Sequence, residues 1–390
     1  MMKFSSIPAV LFALVGTLWF SSAMAVDDRD SLYPGEERVE AAGHPAVIRF
    51  IKGEPNKPLL VFVPGTNHMA RIAYGGHEGY RETDFLAYWL HQEGYNFLGI
   101  SYPLDTESGV FAEPQPDFTV REWGRQTIEL AKRTLESHNL NGPVIVMGWS
   151  MGGKIAQSVQ SAADELGVDL DSYLSFVATP PIPGQISLDR MFEALPSGYA
   201  DRRDDRAGWF AQLAANSERA GHEIVPEPVF MQEYTGDISI NQEGYQQRYR
   251  DGKFVIDREA GTKDNGAFDF AHFPLVGMLL GDDRMDSRHA LTDSAAWSLY
   301  NANTVYRRYI RGNDVDLNAL NDGDWRALLD LTQSSPERLS VEVGGNHFFF
   351  VGESGARRTA RAIETLIDRI HGWRSEVFDH LGLTPDSPST

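Results

Sequence analysis

Residues 143–157 read PVIVMGWSMGGKIAQ, and the way this stretch folds decides the architecture of the chain. Pro143 to Met147 is a continuous apolar run, the pattern of a strand covered on both faces within a parallel sheet. From Ile155 onward, Val159, Ala162, Ala163 and Leu166 recur at helical spacing, and Gly167 supplies a stop. Between the two lies Gly148-Trp149-Ser150-Met151-Gly152, the single G-x-S-x-G of the chain. An N-cap serine would account for one of these residues. A strained strand-to-helix turn accounts for the serine and for both glycines, which let neighbouring elements approach without Cβ clashes. Free N–H groups at the start of the following helix then face any negative charge that develops beside the serine.

Other segments fit around this junction. Residues 46–51 (AVIRFI), 59–63 (LLVFV), 95–101, 173–178 (YLSFVA), 273–281 (FPLVGMLLG) and 339–343 (LSVEV) have strand character. Helices are expected over 84–92, over 119–138 behind a Thr119-Val120-Arg121-Glu122 capping box, and over 291–310 and 325–333. A last helix carries Ala360, Ile363, Leu366, Ile367 and Ile370 on one side. Strands alternating with helices on this scale imply an α/β fold, with a mostly parallel central sheet and helices on both faces. Residues 185–272 break the rhythm and are too long for a bare loop, so they are expected to be a largely helical insertion or lid. The core then divides into 26–184 and 273–382, with a tail over 383–390.

Lys3, an apolar run from Ile7 to Phe20 and the small residues Ser21 to Ala25 have the form of a secretory signal peptide over 1–25, cleaved after Ala25. Export to the periplasm or the exterior is therefore expected, with no stable membrane anchor after cleavage. With no cysteine, the chain has no disulfide framework, thiol nucleophile or thiolate metal site. Its 35 Lys and Arg against 55 Asp and Glu give a net charge of −20. Such a surface repels nucleic acid and anionic lipid, and by itself favours a neutral or cationic small molecule as ligand. Oligomeric state is not written in the sequence.

The G-x-S-x-G junction resembles the nucleophile elbow of the α/β-hydrolases, over about 46–183 and 273–372, leaving the insertion unmatched. The resemblance implies Ser150 as nucleophile and an acid and a histidine following it in that order. His347, in Gly344-Gly345-Asn346-His347-Phe348 after the last strand, is similar to the family's base-bearing loop. A histidine suits the role because its proton exchanges near neutral pH. For the acid, Gly281-Asp282-Asp283-Arg284-Met285 is similar to the family's turn after the penultimate strand and points to Asp283, with Asp314, Asp282 and Asp286 as alternatives. The resemblance further implies oxyanion donors in the N–H of Met151 and in the Pro64-Gly65-Thr66-Asn67 loop, Thr66 first and Asn67 in reserve. Histidines 68, 77, 91, 272 and 289 are read as structural or lid residues.

Neither a metal nor another cofactor is expected. Asp314-Val315-Asp316-Leu317-Asn318 begins with calcium-loop spacing, but Ala319 stands where the sharp-turn glycine belongs. Gly75-Gly76 with Gly79 lacks the strand and helix of a nucleotide-binding turn. The expected partner is a small-molecule acyl substrate. The expected activity is hydrolysis of a carboxylic ester, with a thioesterase, an acyltransferase or a non-catalytic binding protein on the same scaffold as alternatives.

Overall fold

Eight strands form one sheet in the computed structural model, which describes residues 31–185, 190–243 and 246–384. The expected leader at 1–25 lies outside the described residues. In chain order the strands are β1 (Glu36–Ala41), β2 (His44–Ile51), β3 (Leu59–Val63), β4 (Asn96–Ser101), β5 (Val144–Trp149), β6 (Leu170–Phe176), β7 (Val276–Leu280) and β8 (Ser340–Glu342). Across the sheet they run β1-β2-β4-β3-β5-β6-β7-β8. β2 pairs antiparallel with both β1 and β4, and every other pairing is parallel.

All residues of β3, β4 and β5 are buried, as their unbroken apolar runs require of strands with helices on both sides. Each large apolar side chain hidden there contributes about 1.5–3 kcal/mol. α1 (Leu86–Gln92) packs on the carboxyl-terminal helix, and α2 (Val120–His138) on α3 (Ala156–Leu166). The Thr119 capping box is formed, with Oγ1 accepting from the Glu122 N–H at 3.2 Å while the Glu122 carboxylate accepts from the Thr119 N–H at 2.8 Å.

After β6 comes the insertion, whose main helix is α4 (Arg203–Ala220). It is less helical than expected: Gln247–Arg250 and Lys253–Ile256 form an antiparallel hairpin, and Gly236–Asp237 pairs with Asp105–Thr106. β7 is followed by α5 (Ser287–Asn303), and two further helices are α6 (Asp322–Gln333) and α7 (Glu353–Leu381). Gly277 of β7 lies against Leu366 and Ile370 of α7, while Tyr173 of β6 faces the other way and stacks on Trp297 of α5 at 6.1 Å. The sheet is thus covered on both faces.

β1 lies outside the strands expected from the sequence, which begin at 46–51. Its partner is reached through Ala42 and Gly43, both left-handed at φ 52° and 76°, the two-residue turn that matches strand twist.

Candidate active site

Chain order and sheet order diverge at β3. β4 pairs on one side of it and β5 on the other, so the loops leaving the carboxyl ends of β3 and β5 part and open a crevice. Ligands of open α/β sheets bind at such a switch point. Here the crevice is a cavity of about 260 Å³. Its wall takes Thr66 from the loop after β3, Ser150 and Met151 from the turn after β5, and Thr179 from the loop after β6. Asp286, Arg288 and His289 come from the turn after β7, and His347 from the loop after β8. The insertion supplies Arg202, Trp209, Gln212 and Glu243 among others, and so roofs the cavity.

Ser150 sits at φ 54°, a left-handed conformation that costs a non-glycine residue energy and is kept only when the surroundings impose it. Those surroundings are visible. A Cβ on Gly148 would come 1.6 Å from the Tyr173 hydroxyl, which is buried and donates to the Gly152 carbonyl at 2.7 Å. A Cβ on Gly65 would come 2.7 Å from that of Ser150, so the loop after β3 is pressed onto the elbow. The Ser150 hydroxyl caps no helix, and its carbonyl accepts from the Thr179 N–H at 2.7 Å.

His347 is buried beside the serine's turn. Trp149 stacks near it, 5.1 Å between ring centres, and its indole N–H donates to the His347 carbonyl at 2.9 Å. The His347 N–H in turn donates to the Gln212 side chain of the roof at 3.0 Å. Nδ1 of His347 lies 2.9 Å from a carboxylate oxygen of Asp286. An ionised carboxylate can only accept, so Nδ1 carries the proton and Nε2 keeps its lone pair. Burial pushes the Asp286 carboxyl upward, but the charge and hydrogen bond of His347, with His289 and Arg288 behind, hold it below the ordinary carboxylate value.

The acid beside His347 is therefore Asp286 and not Asp283. Asp283 caps the short turn Arg284–Asp286 by accepting from the Met285 N–H at 2.9 Å, and it pairs with Arg219 at 3.0 Å. Asp282 accepts from the Gly345 N–H at 2.7 Å. Asp314 is exposed at φ 52° and outside the cavity wall. The turn capped by Asp283 swings the next carboxylate, three residues on, toward His347.

Thr66 and Met151 both line the cavity. The Thr66 hydroxyl meets Asn67 at 2.8 Å and Glu243 at 2.9 Å, and accepts from Arg202 at 2.7 Å. Arg202 also pairs with Glu243, and the Lys154 ammonium donates to the Glu243 carbonyl. A charged clamp from the insertion thus grips the loop after β3. From below, Nδ1 of His68 bonds the Thr66 carbonyl at 2.6 Å, and burial pulls that imidazole down to about 3. The sequence reading did not place Arg202, Glu243 or Lys154 at the site; Arg202 and Glu243 come from the insertion, which carries no motif.

Asp286, His289 and His347 each bring one possible metal-ligand atom within 4.8 Å of the others. Both nitrogens of His289 are engaged, Nδ1 with Asp293 at 2.9 Å and Nε2 with Arg288, whose guanidinium is a cation where a metal ion would need none.

No protein-family model matches the chain, and no curated protein does. Several solved structures are similar to it. One is an AqdC variant that recognises and cleaves the ring of the Pseudomonas quinolone signal (13% identity, 86% of this chain and 99% of that one, TM-score 0.44). A second is a thermostable carboxyl esterase from Bacillus coagulans (11%, 69% and 86%, TM-score 0.42). A third is a soluble variant of monoglyceride lipase from Saccharomyces cerevisiae (9%, 87% and 95%, TM-score 0.45). The fold rests on the chain's own topology. Its serine turn follows a central parallel strand, with an acid and a histidine after later strands in that order, an α/β-hydrolase-like fold.

Proposed function

We propose that the protein is a serine hydrolase that cleaves a carboxylic ester through an acyl-enzyme. The observation that carries this reading is the 2.9 Å bond from His347 to Asp286 on the wall of the same cavity as a left-handed Ser150. Nε2 of His347 takes the Ser150 proton as Oγ bonds to the acyl carbon. The carbonyl electrons move to oxygen, where the N–H groups of Met151 and Thr66 stabilise the oxyanion, each such donor typically contributing about 2.7–4 kcal/mol. As the intermediate collapses, the same proton passes from His347 to the departing alcohol oxygen. Water then gives a proton to His347 and its oxygen to the acyl carbon; as the Ser150 Oγ–acyl bond breaks, that proton returns from His347 to Oγ, releasing the acid and the free serine. Asp286 holds the ring in its productive tautomer throughout.

Hydrolysis of a panel of esters and thioesters of graded acyl length, with Ser150→Ala as blank, tests the proposal. Turnover of an ester that the blank lacks supports it, and equal rates in both proteins contradict it. Faster cleavage of thioesters than of matched esters would assign a thioesterase on the same residues. Residues 1–25 are, on this reading, an export signal, which amino-terminal sequencing of protein from the native host checks by showing Val26 first.

A further inference from the structure

We infer that the substrate carries a negatively charged group, and that Arg288 is the residue that selects for it. This deepens the hydrolase reading and rests on it.

Three arginines, Arg190, Arg202 and Arg288, line the cavity. Two of them are answered within the protein. Arg190 and Arg202 share the Asp205 carboxylate at 2.6 and 2.8 Å, and Arg202 also pairs with Glu243. Arg288 is different. One nitrogen of its guanidinium donates to the Thr179 hydroxyl at 3.0 Å and meets Nε2 of His289. Nη1 is buried and has no hydrogen-bond partner among the described residues. Among the described residues no carboxylate pairs with it.

The neutral atoms behind Arg288 hold the guanidinium in place without cancelling its charge. His289 is itself fixed by Asp293, which lies 2.9 and 3.2 Å from Nδ1, so Nε2 is the acceptor that Arg288 meets. Burial and the nearby His347 keep His289 uncharged in the neutral range. Burial pushes the Asp293 carboxyl up, to about 8, against the pull of the nearby Arg288 charge. The other nearby carboxylate, Asp286, is committed to His347. Among the described residues of the cavity wall, Arg190, Arg202 and Arg288 outnumber the carboxylates of Glu243 and Asp286.

Among the described residues the half-buried Arg288 guanidinium has no carboxylate within ion-pair distance, only the longer-range attraction of Asp286 and Asp293, and an anion brought by the ligand would offset the cost of its burial. Arginine also offers a carboxylate a fork of donors, which gives orientation as well as affinity. Arg288 lies two residues beyond Asp286 on the turn that opens α5, so an anion held there would be fixed with respect to the base. The acidity of the whole chain favoured a neutral or cationic ligand. The cavity wall has the opposite local charge, and it is the wall that the ligand meets.

Matched substrate pairs test this. The first pair puts a carboxylate on the acyl side, mono-para-nitrophenyl glutarate against para-nitrophenyl pentanoate. The second puts it on the alcohol side, meta-carboxyphenyl butyrate against phenyl butyrate. In at least one pair the wild type should favour the anionic member in kcat/KM by about 10-fold or more, the range of one charge-assisted contact. Arg288→Met should collapse that ratio toward one, mainly through KM, and Arg288→Lys should recover part of it. A wild type that prefers the neutral member of both pairs overturns the inference, and needs no variant to fold. So does an anionic preference that persists in Arg288→Met. If the neutral esters are turned over in a Ser150-dependent way without any preference, only this inference falls. If no ester is turned over and Ser150 is unreactive, the hydrolase reading falls with it.

Discussion

The indole N–H of Trp149 donates to the main-chain carbonyl of His347 across 2.9 Å, joining the strand that delivers the serine to the loop that delivers the imidazole. These residues are 198 positions apart in the chain, and both partners of the bond are buried. The bond therefore fixes the base loop against the elbow, a distance on which proton transfer depends steeply. Trp149→Phe keeps a ring against His347 but strands a buried carbonyl, at a cost of about 1–3 kcal/mol. The expected outcome is a lower melting temperature and a kcat reduced several-fold with KM little changed. Unaltered kcat in a folded variant would show that the bond does not position the base.

The acid assignment gives a sharper contrast. Asp286→Asn should lower kcat by roughly 10³–10⁴-fold, because the amide favours the wrong tautomer of His347. Asp283→Asn keeps an acceptor for the Met285 N–H and loses only the ion pair with exposed Arg219, so activity should stay within about a few-fold and stability within about 1 kcal/mol. Steady-state kinetics and denaturant titration on the two variants check both halves.

Two glycines with different surroundings test the packing account of the elbow. Gly148→Ala places a methyl 1.6 Å from the Tyr173 hydroxyl and should cost at least about 3 kcal/mol. Gly208 lies exposed within α4, with nothing within 4 Å of a built Cβ, and Gly208→Ala should add up to about 1 kcal/mol through helix propensity. Opposite shifts in melting temperature are expected.

Lys154 supplies a test in pH. Burial draws its ammonium down to about 8 from 10.5. Unfolding restores the ordinary value, so between these limits the unfolded chain holds the extra proton and stability rises with pH. The contribution is complete above the unfolded value and is lost as pH falls through the folded one. Wild type should therefore gain stability relative to Lys154→Met across this window, on the order of 3 kcal/mol. Equal slopes for the two proteins would show that Lys154 titrates normally.

What could be read in the chain follows from where its signals are local. LLVFV and PVIVM announce buried parallel strands by composition alone, and G-x-S-x-G and GGNHF each carry their residue within a short motif. Asp286 is not announced that way. The stretch Gly281 to Asp286 holds three aspartates, and only the cap that Asp283 places on the following turn decides which of them reaches His347. β1 was hidden for a different reason: EERVEA is an edge strand in which four of six residues are charged, with no apolar alternation to announce a strand. The pairing of Ala42 and Gly43 was the available hint. The Arg202, Glu243 and Thr66 clamp joins residues up to 177 positions apart, a tertiary fact without a local signature. Net charge, likewise a sum over the whole surface, says little about the charge inside one cavity.

The central claim is that Ser150 is a nucleophile activated by His347. Intact-protein mass spectrometry after exposure to a fluorophosphonate probe tests it most directly. One adduct per chain is expected, mapped to Ser150, absent in Ser150→Ala and formed far more slowly in His347→Ala. A folded wild type that takes up no probe, or that carries the adduct on another residue, would contradict it.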